Sequence, residues 1–368
     1  MSISLIGYTL PTLFELMNTL DTLCNARPYF HKIYFLFWLP FILFHNGGCQ
    51  DKPTESIVPN TNQTYSIGLL GDKNDVTTAT SFGIVLMGGS TDVDEAMEWM
   101  IEKSGGGDFL ILRASGSVGY NSYLYNLGEL NSVETLLIDS KSKAQSEAVG
   151  KRIREAEAVF IAGGDQANYI NFWSDTEVSR ALQYLISEKK IPIGGTSAGC
   201  AVLSHWIYDA KNGSVVSDEA LANPFNSKIS FTNNFLSIPF LDNTLADQHY
   251  AQRNRQGRQA AFLARLKKEN PEENFYGIGV DEKTAVCIDE NGLAKVLGTN
   301  KSYFIKTLST PEVCLPNQPL QWFTNQQALS VNVLNGTVEG INTFSLVNWT
   351  ISADEYWYVE NGVLKINN

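Results

Sequence analysis

The chain has 368 residues, of which 43% are hydrophobic and 18% charged, and its formal net charge is −12. These proportions indicate a globular protein with one large α/β domain and appendages, or with two modest domains. The acidic balance argues against a nucleic-acid-binding protein, which normally carries a basic face.

The first 64 residues are predicted to be an export signal and a tether. Residues 33–44 are almost wholly apolar; this run is short for a bilayer span but has the length of a signal-peptide core. Basic residues precede it, and two glycines lead into Cys49, a pattern that resembles a bacterial lipoprotein signal. We predict a signal region over 1–48, lipidation and membrane anchoring at Cys49, and a polar tether over 49–64. A cleaved signal without lipid, which gives a periplasmic or secreted protein, and an uncleaved anchor are the alternatives.

Short apolar runs bounded by glycines alternate with segments of helical spacing in the first part of the folded region. The predicted strands are 82–89, 108–114, 133–139, 158–164 and 191–195, and the predicted helices are 141–157 and 174–189. Asp92 is predicted to cap a further helix. This alternation predicts a doubly wound, mostly parallel sheet whose strands are buried on both faces. In such sheets the ligand site lies beyond the carboxyl ends of the strands.

The pattern changes to short strands from about residue 275 onward. Helical spacing ends there, and alternating segments such as 344–351 and 355–366 continue to the end of the chain. We therefore predict an α/β domain over 65–300 and a β-rich C-terminal extension over 301–368.

Gly195-Thr196-Ser197-Ala198-Gly199 is the strongest local motif. It fits G-x-S-x-G, follows an apolar strand and precedes a predicted helix over 198–208. This is the setting of a nucleophile elbow, in which a strained turn exposes the serine hydroxyl. The N–H of Ala198 would then be placed to stabilise an oxyanion. A purely structural turn is the alternative.

The general base follows by elimination among the four histidines. His31 and His45 lie in the predicted signal region, and His205 would lie two turns along the helix that Ser197 begins. His249 therefore remains as the base, provided that Ser197 is a nucleophile. The strand 277–280 runs into Asp281 and Glu282, and we predict that Glu282 orients the base, with the adjacent Asp281 as the alternative. The order serine, histidine, acid excludes an ordinary α/β-hydrolase, in which the histidine comes last.

Four segments together resemble the signature of cyanophycinase, a relative of dipeptidase E. They are GGDQ (163–166), GGTSAG (194–199), DQHYAQRNRQGR (247–258) and GIGVDEKTA (277–285), and they occur in the family's order. The resemblance implies a glutamine-amidotransferase-like α/β fold with a Ser197–His249–Glu282 triad. It also implies an oxyanion hole and a substrate pocket. The oxyanion hole would use Gly164 and Ala198, and the pocket would use Gln166, Asp247, Arg253, Arg255 and Arg258.

The three arginines are also informative by themselves. They follow the proposed base within nine positions in an acidic chain, and guanidinium groups bind carboxylates in bidentate fashion. A β-linked aspartyl peptide keeps a free α-carboxylate that such a pocket could hold, and Asp247 could meet the arginine of a β-Asp-Arg unit. A solvated helix face with surface salt bridges is the alternative.

The sequence predicts no metal and no cofactor, because the five cysteines are scattered and show no metal-ligand spacing. We predict an exported serine exopeptidase that acts on aspartyl peptides or isopeptides. An idle peptide-binding lipoprotein and an amidase for a non-peptide acyl group are the alternatives, and a homodimer stays open.

Overall fold

The structure is a computed structural model that describes residues 64–349 and 352–367. In chain order the strands are β1 (Ser66–Gly71), β2 (Gly83–Met87), β3 (Asp108–Arg113), β4 (Ser132–Leu137), β5 (Ala158–Ile161), β6 (Pro192–Thr196), β7 (Ile207–Tyr208), β8 (Phe231–Thr232), β9 (Thr244–Gln248), β10 (Tyr276–Val280), β11 (Thr284–Asp289), β12 (Leu293–Gly298), β13 (Lys301–Thr307), β14 (Leu329–Asn335), β15 (Thr343–Ser345), β16 (Glu355–Glu360) and β17 (Val363–Asn367). The helices are α1 (Asp94–Lys103), α2 (Gly119–Leu127), α3 (Lys141–Ala144), α4 (Glu147–Glu155), α5 (Gln166–Trp173), α6 (Glu177–Tyr184), α7 (Ala198–Ala201), α8 (Ser217–Ala222) and α9 (Gln256–Glu269).

The larger sheet has nine strands in the order β1-β4-β3-β5-β6-β2-β11-β12-β15. Its five central strands, β4 to β2 in this order, are parallel, and the strands on either side are antiparallel. The predicted α/β class with a mostly parallel sheet is therefore confirmed. The predicted strands are continuous in apolar residues because helices cover both faces of the sheet.

Strand β2 shows how the two faces are used. Ile84 and Leu86 enter the core that includes residues of α4, α5 and α6, whereas Val85 and Met87 enter the core formed with α1 and α2. This alternation follows from the two-residue period of a strand. With both faces packed, the sheet leaves its carboxyl-terminal edge available for a site.

A second sheet has six strands in the order β17-β16-β14-β13-β10-β9. Its β9 and β10 are parallel and precede residue 300, whereas β14, β16 and β17 belong to the predicted C-terminal extension and are antiparallel. The β-rich character of the C-terminal residues is confirmed, and they enlarge a sheet that begins inside the α/β region. The domain boundaries themselves stay predictions.

Three local predictions were wrong. The helix predicted over 141–157 is broken between α3 and α4, because Ser146 is in an extended conformation and precedes the second helix. The helix predicted over 198–208 is only the four residues of α7. There the Ser204 hydroxyl donates to the carbonyl of Trp206 (2.9 Å), and the Trp206 N–H donates to Thr244 in β9 (2.9 Å), so the chain turns away into β7.

The third wrong prediction concerns Asp92, which does not cap α1. The helix begins after Val93, and no side chain caps it. The carboxylate of Asp92 instead accepts a hydrogen bond from the Tyr120 hydroxyl (2.6 Å).

Candidate active site

Ser197 lies at the carboxyl end of β6, in the turn that begins α7. Its φ of +53° and ψ of −116° are unusual for a residue with a side chain, as expected for a strained turn at a reactive group. The two glycines of the motif permit this turn. A Cβ atom on Gly195 would lie 2.5 Å from the backbone of Gly199, and one on Gly199 would lie 2.0 Å from the carbonyl oxygen of Ile161. The partly exposed hydroxyl therefore depends on small residues at both positions.

Ser197, His249 and Glu282 form one hydrogen-bonded chain. The Ser197 Oγ lies 2.8 Å from His249 Nε2, and His249 Nδ1 lies 2.7 Å from Glu282 Oε1. An Nδ1–H that donates to the carboxylate leaves Nε2 free to accept the serine proton, which is the arrangement of a catalytic triad. His249 follows β9 and Glu282 follows β10, so two adjacent parallel strands present the base and the acid side by side.

The neighbouring carboxylate, Asp281, is engaged elsewhere. Its Oδ1 accepts the N–H of Ala251 (2.8 Å), its Oδ2 accepts the N–H of Lys301 (3.3 Å), and the side chain is buried. Asp281 therefore anchors the segment after His249 to β13, whereas Glu282 contacts the imidazole.

Two backbone amides near Ser197 are available for an oxyanion. Ala198 is the first residue of α7, so its N–H has no acceptor within the helix. Gly164 is exposed in the loop after β5, and the adjacent Gly163 brings this loop within 3.5 Å of the Ser197 Cβ, measured from a Cβ built on the glycine. Neither amide donates a hydrogen bond to another group among residues 64–349 and 352–367. Both N–H groups therefore lack a competing acceptor in this part of the chain, and their use as an oxyanion hole stays a prediction.

His205, which the sequence excluded for the wrong reason, has a structural role. It lies beyond the end of α7 rather than on it, and its Nδ1 accepts the N–H of Asn243 (2.8 Å). This ring nitrogen is therefore engaged with the backbone that precedes β9.

Burial lowers the pKa of His249 below its usual value of 6.5, and the hydrogen bond with Glu282 partly opposes this effect. The positive charges of Arg253 and Arg255 lower the pKa further. A general base acts in its neutral form, so a lowered pKa keeps His249 active into mildly acidic solution. We expect the acidic limb of the pH–rate profile to lie below pH 6.5.

Replacing Arg253 with alanine should move the acidic limb of the pH–rate profile to higher pH. Loss of the positive charge makes protonation of His249 easier, so its pKa rises and the neutral base is lost at a higher pH. The measurement is the pH dependence of Ser197 inactivation by a small fluorophosphonate, which lacks a carboxylate for Arg253 to bind. Lys151→Ala, at an exposed position of α4, is the control. An unchanged limb, or one that moves to lower pH, would contradict an effect of the Arg253 charge on His249.

The other two arginines and Asp247 form a buried cluster. Arg258 holds both oxygens of Asp247, through Nε to Oδ2 at 2.7 Å and Nη2 to Oδ1 at 2.5 Å. Arg255 donates to the carbonyl of Gln248 (2.7 Å) and approaches Asp247 Oδ1 (3.4 Å). Arg258 is 3% exposed and Asp247 2% exposed, so the pair contacts protein rather than solvent. Substrate binding by these three side chains stays a prediction, and the structure gives them a role in stabilising β9 and α9.

Arg253 and Gln166 are the more accessible residues of the predicted pocket. Arg253 is exposed in the turn between His249 and α9, and Gln166 is half-buried at the start of α5, next to the Gly163–Gly164 loop. Neither side chain forms a hydrogen bond or an ion pair with another group among the described residues, and substrate binding by both stays a prediction.

Removing Arg258 should destabilise the fold strongly. Arg258→Ala leaves the Asp247 carboxylate buried and without its bidentate partner, and we expect a loss of about 3–5 kcal/mol in the free energy of unfolding. Arg253→Ala removes an exposed arginine from the same segment and should cost no more than about 0.5 kcal/mol. Urea denaturation of both variants measures the difference. Equal stability of the two variants would show that Asp247 does not need Arg258.

The described residues contain three cysteines, Cys200, Cys287 and Cys314, which are buried free thiols. No group of three potential metal ligands occurs in this part of the chain. None of the helices within it has both the length and the apolar character needed to cross a bilayer. The signal region, Cys49 and most of the tether lie outside the described residues.

Comparison with known proteins identifies a family and a group of relatives. A model of the family described as peptidase family S51 matches residues 84–296, more than half of the chain. The protein is 29% identical over 187 residues to a cyanophycinase of Trichormus variabilis, covering 51% of this chain and 56% of the relative. It is 29% identical over 179 residues to a cyanophycinase of Synechococcus elongatus, covering 49% and 50% of the two chains. The match thus spans about half the length of these curated relatives.

Solved structures resemble the protein more distantly. A peptidase from an acI-B1 actinobacterium has 16% sequence identity and a TM-score of 0.48, and the alignment covers 73% of this chain and 98% of that one. A protein from Listeria monocytogenes described as a putative peptidase E has 16% identity and a TM-score of 0.39, with 60% and 99% of the two chains covered.

Proposed function

The chain belongs to peptidase family S51, and we propose that this serine peptidase is an exported exopeptidase that hydrolyses β-linked aspartyl peptides through an acyl-enzyme. The observation that carries the proposal is the hydrogen-bonded chain from Ser197 through His249 to Glu282, with distances of 2.8 and 2.7 Å. The full set of nucleophile, base and acid has a chemical purpose only if a bond is cleaved, which favours an enzyme over an idle binding protein.

The proposed reaction has two acyl-transfer steps. The Ser197 oxygen attacks the substrate carbonyl carbon while its proton passes to His249 Nε2, and the N–H groups of Gly164 and Ala198 stabilise the oxyanion. Collapse of this intermediate breaks the C–N bond, and His249 returns the proton to the departing amine. Water then attacks the ester with His249 as base again, releasing the acid and restoring the serine.

The proposed substrate is a peptide with a β-linked aspartyl residue next to arginine. Relatives carry the name cyanophycinase, and the exposed Arg253 lies four residues from the base. A β-aspartyl linkage leaves a free α-carboxylate, and a guanidinium group binds a carboxylate strongly through two hydrogen bonds. Arg253 is therefore the residue that we assign to this carboxylate.

Hydrolysis of matched dipeptides tests this assignment. The protein is incubated with β-Asp-Arg, with α-Asp-Arg and with β-Asp-Arg amidated at the α-carboxyl, and the products are identified by mass spectrometry. We expect free aspartate and arginine from β-Asp-Arg and little product from the other two. Equal cleavage of all three would contradict carboxylate recognition. Cleavage of none, with Ser197 still labelled by a fluorophosphonate, would instead favour an amidase for another acyl group.

Export and lipid anchoring are supported by the sequence of the first 64 residues. The apolar run 33–44 followed by Cys49 leads us to propose a lipoprotein that is tethered to a membrane. Expression with a radiolabelled fatty acid should label the wild type and leave Cys49→Ser unlabelled, while Cys24→Ser keeps the label. Equal labelling of Cys49→Ser and the wild type would exclude lipidation at Cys49.

A further inference from the structure

The last residue of β2 and the loop that follows it, residues 87–92 (the 87–92 loop), form backbone hydrogen bonds with Ser197, with His249 and with the residue after Glu282. The carbonyl of Met87 accepts the N–H of Ser197 (3.1 Å), and that of Gly88 accepts the N–H of His249 (2.8 Å). The carbonyl of Gly89 accepts the N–H of Lys283 (3.1 Å), the residue after Glu282. One short loop therefore sets the relative positions of nucleophile, base and acid.

The loop also lies directly against the imidazole. Gly89 has a φ of +99°, and a Cβ atom on it would lie 2.5 Å from His249 Cε1 and 2.6 Å from Nε2. Any side chain at this position would displace the ring nitrogen that receives the serine proton. A shift of the loop should therefore also shift His249.

Asp92 closes the loop and connects it to two other elements. Its Oδ2 accepts the hydroxyl of Tyr120 in α2 at 2.6 Å. Its Oδ1 and the hydroxyl of Thr196, the residue before Ser197, are both buried without a conventional hydrogen-bond partner among the described residues. Burial raises the pKa of Asp92, whereas the neighbouring Thr196 hydroxyl acts to lower it. Asp92 thus lies between α2 and the end of β6.

We propose that Asp92 is a positioning residue, which fixes the 87–92 loop between Tyr120 and Thr196 and so holds Ser197, His249 and Glu282 at reacting distance. The inference rests on the proposed function only in taking Ser197 as the nucleophile. Displacement of a catalytic group by about 1 Å can cost on the order of 10²-fold in rate. Loss of this anchor should therefore act on the chemical step.

A neighbouring pair provides a matched control. Asp94 in α1 accepts the hydroxyl of Tyr123 in α2, also at 2.6 Å. This bond joins the same two parts of the chain with the same residue types, but Asp94 lies outside the 87–92 loop. If the two hydrogen bonds only stabilise the packing of these elements, loss of either should have a similar effect on the reactivity of Ser197. If Asp92 is a positioning residue, only its loss should lower this reactivity.

The experiment measures Ser197 inactivation by a small fluorophosphonate, as the maximal rate kinact and the half-saturating concentration KI. We expect Asp92→Ala to lower kinact about 10- to 100-fold with KI nearly unchanged, and Asp94→Ala to leave both unchanged. Asp92→Asn should recover most of the rate, because an amide can still accept from Tyr120 and donate to Thr196. Tyr120→Phe and Tyr123→Phe repeat the comparison from the other side, should Asp92→Ala not fold.

Three results would overturn the proposal. They are a kinact of folded Asp92→Ala close to that of the wild type, equal losses in the Asp92 and Asp94 variants, and a loss in Asp92→Asn as large as in Asp92→Ala. If Asp92→Ala does not fold, equal rates of Tyr120→Phe and Tyr123→Phe overturn it. Wild-type protein that fails to react with the probe would mean that Ser197 is not the nucleophile, which is a failure of the proposed function itself.

Discussion

Replacing Ser197 with alanine is expected to lower kcat by about 10⁶-fold, as removal of a triad nucleophile does in serine peptidases. The hydroxyl is the atom that forms the acyl-enzyme, and within the described residues no other hydroxyl forms a hydrogen bond with His249 Nε2. Fluorophosphonate labelling at this position should disappear completely. Hydrolysis of β-Asp-Arg and labelling of the intact protein are the two measurements.

The fold should survive this substitution. Alanine and serine both carry a Cβ atom, so the φ of +53° is equally unfavourable for either residue. The change removes a single partly exposed oxygen, and the free energy of unfolding should therefore change by no more than about 1 kcal/mol. Ser187→Ala, at an exposed serine after α6, controls for the loss of a hydroxyl elsewhere. A kcat of Ser197→Ala within about tenfold of the wild type would rule out this nucleophile.

The central sheet could be predicted because its strands are buried on both faces. Residues 82–89, 108–114 and 158–164 each contain a continuous apolar run that is followed by glycine or a polar turn, and this pattern is typical of the inner strands of a parallel sheet. The second sheet could not be predicted in the same way. Its β9 pairs with β10 and, through β13, connects to strands near the end of the chain. Such pairings depend on contacts between distant segments that local pattern does not encode.

The candidate site was predicted in part. G-x-S-x-G in its setting identified Ser197, and the scarcity of histidines identified His249. The sequence could not exclude Asp281 by pattern, because adjacent residues after a strand differ only in the direction of their side chains. It also could not show that Asp247 takes both arms of the Arg258 guanidinium, because a basic cluster looks the same whether it binds a substrate or a buried carboxylate.

The 87–92 loop was missed, although a signal was present. Two glycines directly after a buried strand, at the edge where the site was expected, indicate a close approach of the backbone to another group. Which group it approaches becomes visible only when β9 brings His249 beside Gly89. The contact joins residues that are about 160 positions apart in the chain, so no local rule could connect them.

Glu282→Gln should lower kcat by about 10⁴-fold with little change in KM. A glutamine amide can donate to His249 Nδ1, which would place the ring proton on Nε2 and prevent this nitrogen from accepting the serine proton. The carboxylate charge that stabilises the imidazolium is lost as well. Because Glu282 is partly exposed, the substitution should leave the free energy of unfolding nearly unchanged.

Asp281→Asn, at the adjacent position, should lower the free energy of unfolding and leave kcat nearly unchanged. Asp281 accepts the N–H groups of Ala251 and Lys301, and an asparagine must direct its NH₂ group at one of these donors. The lost hydrogen bond should cost about 1–3 kcal/mol of stability while kcat stays within a few fold of the wild type. Kinetics and urea denaturation of the two variants therefore separate an orienting acid from a structural one. If Asp281→Asn instead abolishes turnover and Glu282→Gln remains active, the two carboxylates must exchange roles, and the hydrogen bond between Glu282 and His249 would have no catalytic role.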